Sequence, residues 1–154
     1  MGLIYFLTAA NPNPFGPTCA PMTVVTLTIK ISRGTDWLAL AVLQQDAIAG
    51  AITRASIDVS FISLRHILPV LPAVLAPGAD IVALVKPQFE AGREDVGKGG
   101  VVSDPAVHAA VSARVTATAE GLGFERKGLI DSPITGATGN REFLMHLTRK
   151  APAP

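Results

Sequence analysis

The sequence predicts an α/β protein, the second half of a doubly wound, Rossmann-like sheet whose last strand runs in reverse. Three observations carry this reading. Beyond residue 56 the elements run strand, helix, strand, helix, strand, strand, which is the order of a parallel sheet with crossover helices that finishes in a hairpin. Residues 80–86 (DIVALVK) form a nearly unbroken apolar run, as strands covered on both faces do. The last two strands are joined by a loop with no helix, so they are antiparallel neighbours or cross over.

The first third resists this pattern. Residues 11–17 (NPNPFGP) are turn material. Residues 24–31 (VVTLTIKI) are rich in β-branched side chains and suit a strand. Residues 37–51 (WLALAVLQQDAIAGA) have the length and the residues of a helix, with Asp36 available to cap it. Residues 1–56 therefore stay unassigned, residues 57–150 form the α/β unit, and residues 151–154 are a tail.

Within that unit, residues 57–62 form a short apolar strand interrupted by an acid. Residues 64–75 (LRHILPVLPAVL) have apolar side chains at helical spacing. Pro69 and Pro72 kink or split that helix, because each lacks a backbone donor. Pro77 and Gly78 are expected to end it. The strand at 80–86 stops at Pro87, and residues 88–103 make a polar, glycine-rich loop. Asp104 and Pro105 are an N-cap and first helical residue. The helix continues to 122, with Val107, Val111, Val115 and Ala119 on one stripe, and Gly121 and Gly123 end it. Strands follow at 124–132 and 141–148.

Composition narrows the function. Charged residues are 16% and aromatics 5% of the 154 residues, and the net charge is +1. That balance carries no electrostatic footprint for nucleic acid. The single cysteine, Cys19, makes no internal disulfide and fits a reducing, cytoplasmic setting. The N-terminus lacks the basic start and long apolar core of a signal peptide. No run approaches the roughly 20 apolar residues of a spanning helix, so no membrane partner is expected. His66, His108 and His146 share no metal-ligand spacing and read as structural or surface residues, so no metal is expected. Residues 92–99 (GREDVGKG) almost make a phosphate loop, but Gly99 stands where the magnesium-binding hydroxyl belongs and two acids lie inside.

Four blocks carry a resemblance. They are DVSFISL from Asp58, LVKPQFE from Leu84, GKGGVVSDP from Gly97, and the stretch from Ser132-Pro133-Ile134 to Gly139-Asn140-Arg141-Glu142-Phe143. In this order and spacing they resemble the TlyA-type methyltransferases, within the wider FtsJ-like 2′-O-methyltransferases. About the last 95 residues are covered. The resemblance implies a class I methyltransferase fold, S-adenosylmethionine as cofactor, and 2′-O-methylation of cytidine in ribosomal RNA, with ribosomal RNA or ribosomal subunits as partners.

It also implies a catalytic tetrad of Lys, Asp, Lys and Glu, of which Asp58, Lys86 and Glu142 match three members. The residue types suit the chemistry. A ribose 2′-hydroxyl is a poor nucleophile, and a lysine between two carboxylates can take its proton where burial brings the lysine's pKa down. The carboxylates orient that lysine. Asp58 and Lys86 are expected at carboxyl ends of parallel strands, where open α/β sheets form their sites. The glycine-rich loop becomes a lid or RNA-contacting element, with Arg93 and Lys98 as candidates. Each residue also has a plainer role open to it: Asp58 as a helix cap, Lys86 as a solvated strand-end charge, and Glu142 as an edge charge.

The family's glycine-rich cofactor turn and its RNA-binding S4 domain have no counterpart in the 154 residues, so the cofactor-binding residues stay unknown. Its first lysine lies in S-R-G-[GA]-x-K. Ser32-Arg33-Gly34-Thr35-Asp36-Trp37 echoes that, with Trp37 in the lysine's place. The expectation is a truncated form, and the alternative is a non-catalytic remnant or partner-binding fragment. Half a sheet exposes a strand edge, to be filled by the strand at 24–31, by a partner chain, or by self-association. The haemolysin label of the relatives implies pore formation, for which the sequence holds neither a basic amphipathic helix nor a spanning segment.

Overall fold

The computed structural model describes residues 4–10, 23–30, 52–136 and 138–151, the first two segments as backbone only. The turn at 11–17, Cys19, the echo at 32–37 and the helix expected at 37–51 lie outside the described residues. Six strands form one sheet: β1 (Ile4–Ala10), β2 (Thr23–Lys30), β3 (Ile52–Ser60), β4 (Leu75–Val85), β5 (Phe124–Asp131) and β6 (Phe143–Arg149). Their spatial order is β1-β2-β3-β4-β6-β5. β2, β3 and β4 are parallel neighbours. β1 is antiparallel to β2, and β6 is antiparallel to both β4 and β5. The unassigned first third thus contributes two strands to the same sheet.

Several boundaries differ from the sequence expectation. β3 begins at Ile52, five residues early, because a strand paired on both sides satisfies its backbone through the polar stretch Thr53-Arg54. Helix α1 is a single turn, Leu64–Ile67, capped by Ser63 Oγ, which accepts from Arg65 N. Beyond it Pro69 and Pro72 allow only a 3₁₀ turn over Leu68–Ala73, whose tighter pattern is used in short pieces. Pro77 and Gly78 do not end a helix. They lie inside β4, where the pairing with β3 slips between Ile52 and Arg54, and Gly78 takes φ +77° there.

The expected loop after Pro87 opens as helix α2, Pro87–Glu90, with proline at its first position. Helix α3, Pro105–Gly121, starts where Asp104 accepts from Ala106 N at 2.8 Å. It buries Val111, Val115 and Ala119. These three, with α1 and the 3₁₀ turn, cover Ile57, Val59, Ile81, Ala83, Val85, Met145 and Leu147 on one face of the sheet. Each fully buried aliphatic side chain there stabilises by about 1.5–3 kcal/mol. Along β3, the residues that alternate with this core, Ser56, Asp58 and Ser60, project to the other face. The fold thereby delivers Asp58 beside the ends of β4 and β6.

Candidate active site at the sheet rim

The site is built where β3 and β4 end and β6 begins. The β4–β6 ladder closes on Val85 opposite Phe143, so Lys86 and Glu142 are the next residues on either side of that seam. Antiparallel pairing alone brings these two positions together, although 56 residues separate them. β3 runs to Ser60, so Asp58 lies inside the strand and not after it.

Lys86 leaves β4 as the N-cap residue of α2. Its Nζ lies 2.6 Å from Asp58 Oδ1 and donates to Ser60 Oγ at 3.2 Å. Two residues one pleat apart on β3 thus fix the ammonium. The lysine side chain is 13% exposed and the aspartate 54%. A pair so open on one side is worth about 1 kcal/mol or less to the fold, so its consequence is orientation and not stability.

Glu142 is 6% exposed, yet no ion pair joins it to Lys86 among the described residues. Its Oε1 accepts from Gln88 Nε2 at 3.0 Å. Gly136 lies against the same carboxylate: a Cβ placed there would fall 2.6 Å from Oε1, so a larger residue would push the Glu142 carboxylate out of its present position. The backbone around it is tied by Ser132 N donating to Glu142 O at 2.9 Å and Gly136 N to Asn140 O at 2.9 Å. Asn140 is fully buried. Its Oδ1 accepts from Val102 N at 2.9 Å, and its Nδ2 donates to Gly100 O at 2.9 Å and Thr138 Oγ1 at 2.8 Å. The two glycine-bearing loops are clamped through this one side chain.

Glu90, also on α2, reaches the other way. Its Oε2 accepts from Ser63 Oγ at 2.6 Å and its Oε1 from Leu64 N at 2.7 Å. Burial pushes its pKa up, against the pull of those hydrogen bonds. Phe61, between Ser60 and Ser63, is 73% exposed and holds φ +64°, a conformation that is strained for a bulky residue. Its ring lies 5.0 Å from that of Phe89, within the range of aromatic pairs.

Of the expected residues, Asp58 and Lys86 are joined directly, and Glu142 shares the rim but is held by Gln88. Arg93, in a 3₁₀ turn over Arg93–Asp95, and Lys98 are both exposed on the loop beyond α2. That loop leads from α2 and not from a strand, unlike a phosphate loop. His108 Nε2 lies 2.8 Å from Val102 O, and His146 Nε2 lies 3.0 Å from Asp80. Sequence reasoning missed Ser60, Phe61, Gln88, Glu90 and Asn140 as site residues. All five fall inside the quoted blocks, and the one available signal was a polar or aromatic side chain directly beside a strand end.

A sequence model of the FtsJ-like methyltransferase family matches residues 22–149. Among curated relatives, YqxC of Bacillus subtilis is 63% identical over 93 residues, covering 60% of this chain and 33% of the relative. The 16S/23S rRNA (cytidine-2′-O)-methyltransferase TlyA of Mycobacterium tuberculosis is 44% identical over 105 residues, covering 68% and 39%. A solved structure from Streptococcus thermophilus that bears the hemolysin label is 49% identical at a TM-score of 0.69, covering 72% of this chain and 40% of that one. The chain thus spans roughly two fifths or less of the length of these relatives. With 128 consecutive residues matched, the chain belongs to the FtsJ-like methyltransferase family.

Proposed function

We propose that this chain carries the acceptor half of an RNA 2′-O-methyltransferase site, directed at cytidine in ribosomal RNA with S-adenosylmethionine as methyl source. The observation that carries the reading is the ammonium of Lys86, 2.6 Å from Asp58 at the carboxyl end of parallel strands. Sites of open α/β sheets form at that end. The reversed β6 then reads as the last strand of a doubly wound methyltransferase sheet, and residues 57–150 as the C-terminal part of an FtsJ-like methyltransferase domain.

The chemistry follows from the residues. The cofactor, when bound, supplies an electrophilic methyl group. The Lys86–Asp58 rim serves the other partner, the ribose hydroxyl. Lys86, steered by Asp58 and Ser60, meets the ribose hydroxyl; once its own proton has passed to the Asp58 carboxylate, its free amine takes up the hydroxyl proton. Glu142 brings a second carboxylate to the same rim. Phe61, leaning on Phe89, presents a flat exposed surface on which an unstacked base can rest. Arg93 and Lys98 face solvent where an RNA backbone would pass. Work on ribosomal RNA would take place in the cytoplasm.

The second reading, a non-catalytic remnant that binds a partner or itself through the sheet edges at β1 and β5, rests on the short span relative to the relatives. Calorimetry with S-adenosylmethionine separates the two: heat of binding at or below millimolar cofactor supports an enzyme, and none supports the remnant. Where ribosomal RNA is methylated, Lys86→Ala should abolish the rate. Turnover that survives this substitution removes the lysine from the mechanism.

A further inference from the structure

The geometry points to Gln88 as the residue that positions Glu142 for the reaction, holding its carboxylate in place without neutralising it. This rests on the reading of Glu142 as part of the methyltransferase site.

Among the described side chains, Gln88 is the hydrogen-bond donor to that carboxylate, through Nε2 at 3.0 Å. Lys86 is turned away, toward Asp58 and Ser60. Gly136 lies beside the same oxygen, where an added Cβ would fall 2.6 Å from Glu142 Oε1 and 3.5 Å from Gln88 Nε2. The Oε1 of this carboxylate is therefore flanked by the Gln88 amide and by Gly136.

The amide's orientation is dictated by its partner. A carboxylate only accepts, so the NH₂ must face it and Oε1 must face away. Among the described residues that buried Oε1 has no hydrogen-bond partner, which is a cost native proteins seldom carry without a reason. An apolar side chain of similar length would escape it. The amide's gain lies in the donor it offers Glu142. The donor is also neutral. A lysine or arginine in its place would cancel the charge that Glu142 brings to the rim, whereas an amide orders the carboxylate and leaves that charge whole.

α2 explains how one residue can serve this end. Lys86 caps it and Pro87 begins it, so Gln88 leaves the chain two residues after the lysine. Within one turn the lysine is directed to β3, the glutamine to the residue before β6, and Glu90 to α1.

The test uses Gln88→Met, which keeps length and removes the donor, and Gln88→Glu, which sets a second carboxylate against the first. On ribosomal RNA with S-adenosylmethionine, Gln88→Met should lower kcat by about 10²-fold, the scale of a 1 Å misplacement, while KM for both substrates and the melting temperature hold steady. Gln88→Glu should lose more, because two adjacent carboxylates resist sharing charge. Unchanged kcat in Gln88→Met overturns the inference, as does a loss that follows melting temperature alone. A second readout is independent of turnover. The side-chain amide protons of Gln88 should shift upfield in the ¹H–¹⁵N spectrum when Glu142→Gln removes the anion. An unchanged amide signal removes the contact, and with it the inference, whether or not methylation occurs. A wild-type chain that fails to methylate while the amide signal does shift counts against the proposed function, and leaves the hold on Glu142 supported.

Discussion

Glu90 shows how a single half-buried acid ties the rim together. It holds the start of α1 while sitting on α2, so the segment bearing Phe61 and the segment bearing Lys86 keep one relative position. Burial raises its pKa, so the folded state holds the proton more tightly than the unfolded chain does. The linked stability is therefore full below the ordinary glutamate range and is lost as pH rises from there through the raised folded value. Glu90→Gln, uncharged at every pH, should show a flatter urea midpoint across that window than the wild type. Parallel midpoint curves for the two proteins would contradict the assignment. At this scale much was legible beforehand, since Asp58, Lys86 and Glu142 were all singled out from residue type and block position. What could not be read was who touches whom. Lys86 pairs with Asp58 and Ser60, and Glu142 with Gln88, because rotamers and the slot beside Gly136 decide between partners that lie within reach.

At the scale of elements, short turns do the positioning. The prolines at 69 and 72 convert an expected twelve-residue helix into one α turn and one 3₁₀ turn, and Pro87 starts α2 where a loop was expected. The glycine loops are held through Asn140, which meets Val102, Gly100 and Thr138. Asn140→Ala leaves the buried Val102 N–H without its acceptor, so a loss of about 1–3 kcal/mol is expected. Amides of residues 97–102 should exchange faster in the same variant. Exchange rates equal to wild type would show that the loop is held by something else. Periodicity located α3 and the strand at 80–86 well, because long elements average over many side chains. It failed on β3, whose polar first half is a strand only through its neighbours' hydrogen bonds.

At the scale of the molecule, β2 is the element that joins β1 to the rest of the sheet. It lies between β1 and β3, with Thr26 opposite Leu7 on one side and Ser56 on the other. A proline at such an interior position removes a ladder donor. Thr26→Pro should cost about 3 kcal/mol and lower the melting temperature in one cooperative transition. A melting curve unaffected by it would place residues 23–30 outside the sheet. The sequence by itself determined the α/β class, the family blocks and the residue types at the rim, because these depend on local pattern and on chemistry that tolerates little substitution. Only the tertiary structure decided the strand order, the entry of residues 4–10 and 23–30 into the sheet, and the division of the rim into a Lys86–Asp58 pair and a Gln88–Glu142 pair. Those outcomes depend on contacts between residues far apart in the chain, and local pattern does not determine such contacts.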